Sequence, residues 1–141
     1  MYRFILSLII ITGCGKKTPP VNIYDSDEYK NLTRKEIIVG ESIWATACFR
    51  CHRYGTNGAV VFENNAYWDH AATKGLDELY NSVWEGKKGE NGTMPPKGFC
   101  NLCSEDEIKK SVLYSFHLAK KVHLAKKVQK SGKSENSSEK E

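Results

Sequence analysis

Cys48-Phe49-Arg50-Cys51-His52 constrains this chain more than any other stretch. Residues three apart share one face of a helical turn, so both thiols point the same way, and an imidazole follows the second. That is the attachment pattern of a c-type haem: two cysteines bond the porphyrin and the histidine ligates its iron. A zinc site would need a second thiol or imidazole pair at suitable spacing. Cys100 and Cys103 could supply one, but His52 would then have no task. A thioredoxin-like redox pair needs a βαβ context, which this sequence lacks.

The 141 residues allow one domain. Five cysteines are an odd number: 48/51 and 100/103 pair by spacing, and Cys14 is left over. Paired cysteines point outside the reducing cytosol. The net charge of +4 lies in residues 119–141, which hold seven Lys and three Glu. The rest of the chain is balanced, which argues against a nucleic-acid surface.

Residues 1–14 read as an export signal. Arg3 is the charged start and Phe4–Thr12 the apolar run, far short of the ~20 residues a membrane span needs. Ile11-Thr12-Gly13-Cys14 resembles a bacterial lipobox, with Cys14 as the lipidated residue. Gly15 after it favours the outer over the inner membrane. Residues 15–32 are polar and aperiodic and read as a flexible tether, about 23 Å in root-mean-square span. Residues 33–119 form the domain, and 120–141 a lysine-rich helical extension ending in a disordered tail from residue 129.

Within the domain, Thr33 and Glu36 form a capping box that starts a helix running into the cysteine motif, with Gly40, Trp44 and Cys48 on one face. Gly55, Asn57 and Gly58 mark a loop, and Val60-Val61-Phe62 can line the proximal haem face. One helix is predicted from Asn65 to Lys74. A second follows on the spacing of Leu76, Leu79, Tyr80, Val83 and Trp84, ended by Gly86. Residues 86–99 are a loop holding Met94, the one methionine besides Met1. A thioether opposite histidine is a low-spin electron-transfer ligand pair, and Pro95-Pro96 stiffen its loop. Cys100 and Cys103 read as a local disulfide, worth about 2 kcal/mol for so short a loop. Ser104 and Glu107 cap the last helix, in which HLAKKV occurs at 117–122 and again at 123–128. His70, His117 and His123 read as surface histidines.

Residues 38–116 resemble a small bacterial class I cytochrome c, of the cytochrome c5 kind. The resemblance rests on GESIWATACFRCH, the loop from Gly55 to Gly58, Trp68, Lys74-Gly75, TMPPKG, the 100/103 cysteines with SEDEI, and Tyr114. It implies an all-α fold wrapped on one covalent haem c. Cys48 and Cys51 would be the attachments, His52 and Met94 the axial ligands, and Gly40 and Trp44 would cross Tyr114. Relatives usually carry proline near position 60, where this chain has Val60, so a looser proximal loop is expected.

The chain therefore reads as a membrane-tethered, extracytoplasmic electron carrier, not an enzyme, serving respiratory or periplasmic redox proteins. Lys87, Lys88 and Lys97 flank Met94, opposed by Glu85 and Glu90. The alternatives are a small peroxidase-like enzyme or gas sensor with a displaceable distal ligand, and a structural lipoprotein without redox function.

Overall fold

The structure, a computed structural model, describes residues 19–138. The export signal, Cys14 and residues 139–141 lie outside the described residues. Helices dominate: α1 (Asp27–Lys30), α2 (Arg34–Ile43), α3 (Phe49–His52), α4 (Asn65–Ala72), α5 (Gly75–Glu85) and α6 (Glu105–Ser138). The one two-stranded ribbon pairs β1 (Lys87–Lys88) with β2 (Thr93–Met94), antiparallel. Among the described residues, no helix is long and apolar enough to cross a membrane.

Both expected capping boxes are present. The Thr33 amide donates to Glu36 Oε2 at 2.9 Å and the Glu36 amide to Thr33 Oγ1 at 3.3 Å; Ser104 and Glu107 do the same at α6. These side chains satisfy amides that a helix start leaves without partners.

Helices α2 and α6 cross at Gly40. A Cβ there would run into the Lys110 carbonyl oxygen and come within 2.9 Å of Tyr114 Cβ, so only glycine lets the backbones approach. Trp44 is tilted on Tyr114 with ring centroids 5.8 Å apart, and Tyr114 Oη donates to Glu41 Oε1 at 3.0 Å. Burial, reinforced by Glu41, pushes the Tyr114 phenol up to about 12. Its folded value thus exceeds the ordinary 10, so its contribution is full below pH 10 and lost as pH rises through about 12. Melting temperature should therefore fall across that interval, and Tyr114→Phe should flatten part of the fall. Tyr24, raised for the same reason, contributes another part.

Three stretches differ from the sequence reading. Residues 19–32 are not a free tether. Ile23 is completely buried, and the Tyr24 ring meets Tyr29 and Phe116 edge-on at 5.3 and 5.9 Å. Asn22 and Ser26 cap the short turns around them. Pro20 and Val21 lie against Gly75. A polar segment thus works as a strap, because one isoleucine and two tyrosines anchor it. Ile23→Ala should cost about 2–5 kcal/mol, read as a lower chemical-denaturation midpoint with unchanged slope; a tether would show no change.

The second difference is in the tail. Helix α6 runs 34 residues to Ser138, through the stretch from 129 that reads as disordered. Residues 129–138 are rich in Ser, Gly and Asn, and the lack of a proline is what leaves the helix free to continue through them. The third lies before the motif, where Trp44–Cys48 form a π-helical turn rather than continuous α-helix. The Thr46 hydroxyl donates to the Ser42 and Ile43 carbonyls in that wider turn.

Candidate functional site: a haem cavity between two ligand loops

A largely apolar cavity lies at the centre of the helices. Cys48 and His52 enter it from the motif and Met94 from β2; Trp68 and Ala71 line it from α4, Leu79 and Val83 from α5, and Val112 and Phe116 from α6. The structure thus brings Cys48, His52 and Met94 together on one cavity. Cys51 is not among its lining residues; it sits half-buried beside His52.

Each side chain is held by its neighbours. His52 Nδ1 donates to the Val60 carbonyl at 2.9 Å. That bond fixes the tautomer with the proton on Nδ1 and leaves the Nε2 lone pair free, and a carbonyl behind the ring raises its basicity. Trp68 Nε1 donates to the next carbonyl, Val61, at 3.0 Å, and its ring stacks on Phe62 at 4.8 Å. Two successive carbonyls of the proximal loop are therefore each tied to a ring. Among the described residues Cys48 and Cys51 are free thiols, not a disulfide. Burial, with Cys51 adding, pushes the Cys48 thiol up to about 11.

The proximal loop is also clamped to the loop holding Met94. A Cβ at Gly58 would collide with the Asn91 carbonyl, and one at Gly92 with the Asn57 carbonyl. Backbone lies on backbone there, so the two loops carrying His52's acceptor and Met94 keep a fixed spacing. The ribbon pairing of Met94 with Lys87 restrains the other side.

Cys100 and Cys103 are bonded, with Cα atoms 5.4 Å apart. They do not join Cys48 and Cys51: among the described residues no group of three or more His, Cys, Asp or Glu could hold a metal ion by itself. The cavity's apolar lining, two free thiols and a preset imidazole fit a covalent haem.

Residues 35–114 match the family described as cytochrome c oxidase, cbb3-type, subunit III. The chain belongs to this cytochrome c family. It is similar to cytochrome c5 of Azotobacter vinelandii, 35% identical over 75 residues that cover 52% of this chain and 86% of that one. Cytochrome c5 of Ectopseudomonas mendocina is 34% identical over 74 residues, 51% of this chain and 80% of that one. Cytochrome c-555 of Chlorobaculum tepidum is 28% identical over 84 residues, 60% and 78%. The chain is thus a c5-like class I cytochrome c. It binds haem c covalently and carries electrons to and from redox proteins; it is not an enzyme.

The cytochrome's cavity also holds residues that the sequence reading did not assign to it. His70, read as a surface histidine, lines it together with Lys74 and Lys87. Ser111 and Ser115 line it from α6, their hydroxyls turned back onto the Ile108 and Ser111 carbonyls at 2.8 and 2.9 Å. Two small residues four apart on an otherwise apolar helix face were the available signal. His117 and His123 stand away from the cavity. His117 is half-buried near Tyr114, and burial holds its imidazole below the ordinary value. His123 Nδ1 lies 4.0 Å from Asp69 Oδ2.

Proposed function

We propose that Cys48 and Cys51 form the two thioether bonds of one haem, that His52 Nε2 and the Met94 sulfur are its axial ligands, and that the cytochrome shuttles single electrons between extracytoplasmic respiratory redox proteins while anchored by lipid on Cys14. The observation that carries this is the joint placement of Cys48, His52 and Met94 on one cavity, with His52 Nδ1 held on the Val60 carbonyl.

When bound, the haem supplies the one-electron couple, and histidine with thioether ligation raises its potential. The chain's residues do the rest. The Val60 carbonyl orients His52, the clamped loops present Met94, and Trp68, Leu79, Val83, Val112 and Phe116 exclude water. A rigid, dry site keeps ligand geometry the same in both oxidation states, which favours fast transfer. The anchor rests on the lipobox-like run and on Cys14 lacking a thiol partner by sequence. Gly15 favours the outer membrane.

One preparation tests the whole reading. Protein purified from membranes should carry one haem, Cys48 and Cys51 should resist alkylation, and Cys14 should carry acyl chains. Cys14→Ser exported behind a plain secretory leader should be released from membranes by high salt, which leaves the acylated protein bound, with an unchanged haem spectrum. Reactive thiols at 48 and 51 would overturn the haem assignment; an unacylated Cys14 would overturn the anchor alone.

A further inference from the structure

A second groove, sharing Trp68 with the cavity, lies between Tyr24 of the strap, Asn65 and Asp69 of α4, and the α6 extension. Its apolar floor is Trp68, Ala119 and Leu124, and Lys120 and Lys127 stand on it; Asp69 is the one carboxylate among its lining residues. The extension carries Lys120, Lys121, Lys126, Lys127 and Lys130, and no acidic residue between positions 119 and 130. Lys126 Nζ donates to the Glu63 carbonyl at 2.8 Å, which holds the extension on the start of α4. This surface is built by the strap and the duplicated HLAKKV segment, largely outside the residues that match the cytochrome family.

We propose that this groove seats the headgroup of an anionic glycerophospholipid and so docks the cytochrome on a bilayer by one defined face. Two chemistries meet there. Lysines at 120 and 127 attract a phosphate, and Trp68 and Leu124 cover the glycerol backbone and the first methylenes. Chain length agrees with this face. From Cys14 to Pro19 are five peptide steps, at most about 18 Å when extended, and Pro19 opens the strap that carries Tyr24 into the groove. A lipid on Cys14 would therefore keep this face near the membrane. The proposal does not rest on that lipid, because the groove is tested without it.

The test uses the haem-loaded Cys14→Ser chain, released from a plain secretory leader, with vesicles of phosphatidylcholine alone or mixed with phosphatidylglycerol. Co-sedimentation should occur with the mixed vesicles at least tenfold more than with phosphatidylcholine. Lys120→Glu with Lys127→Glu should lower it at least tenfold, with haem spectrum and melting temperature retained. Lys88→Glu with Lys130→Glu, outside the groove, should lower it no more than about threefold as general screening of charge. Leu124→Gln, which keeps every charge, should also weaken binding, and it remains informative if the double reversal unfolds. Equal losses for the two charge-reversal pairs would overturn the groove. So would inorganic phosphate shifting the Asn65 and Trp68 amide resonances of the reduced protein while vesicles go unbound, since the groove would then take a small anion.

Discussion

Met94→Ala leaves the haem attached and opens its distal side. Attachment should persist, because the proposed covalent bonds are those of Cys48 and Cys51, not of Met94. The loop should also hold, since position 94 keeps its backbone pairing with Lys87 and Gly58 and Gly92 still clamp the flanking loops. The variant therefore reports on the sulfur alone. Carbon monoxide or cyanide should go from negligible to stoichiometric binding at micromolar protein. The midpoint potential should drop by on the order of 0.1–0.3 V, part of the roughly 0.8 V range that axial ligands command. Peroxidase-like turnover should appear, because peroxide reaches the iron. A wild type that already binds these ligands, with the variant unchanged in potential, would remove Met94 from the ligand set.

Gly40→Ala should destabilise the fold although it adds a single methyl group to a helix. On an exposed helix this change helps by about 1 kcal/mol. At Gly40 the new carbon falls onto the Lys110 carbonyl and within 2.9 Å of Tyr114 Cβ, and neither is the far end of a flexible side chain. Overpacking of this kind costs about 3 kcal/mol, leaving a net loss of about 2. For a domain of this size that is about 10 °C in melting temperature. The sign decides: a rise would mean that α2 and α6 can spread apart without loss. Haem content should stay near one per chain, because Gly40 does not line the cavity.

What the sequence disclosed follows from how each feature is written in it. The haem motif, the thioether loop and both capping boxes are short-range signals, with every participant within a few residues. The Gly40 contact was legible through a resemblance and a helix face. The strap was not, because Ile23, Tyr24 and Tyr29 sit among lysines, aspartates and prolines without period; their partners, Phe116 and Lys120, lie some ninety residues away. The helix beyond residue 129 was missed because polar composition alone does not separate a solvated helix from a coil. His70 and Lys87 join the cavity only once α4 and the ribbon fold onto it. The π turn was missed because the amino acids of Trp44–Cys48 suit either winding, and the choice shows only in the carbonyls that Thr46 takes.

The acceptor for His52 is a peptide carbonyl, and every residue has one. At position 60 that residue is valine, and the bond is made at 2.9 Å. No point substitution at position 60 can delete that oxygen; only a change in the path of the chain can move it. That path is set by loops resting on each other at Gly58 and Gly92. Natural variation should therefore run freely through position 60 and stop at those two glycines, so that the orientation and basicity of the His52 ring are inherited through backbone shape rather than through side-chain identity.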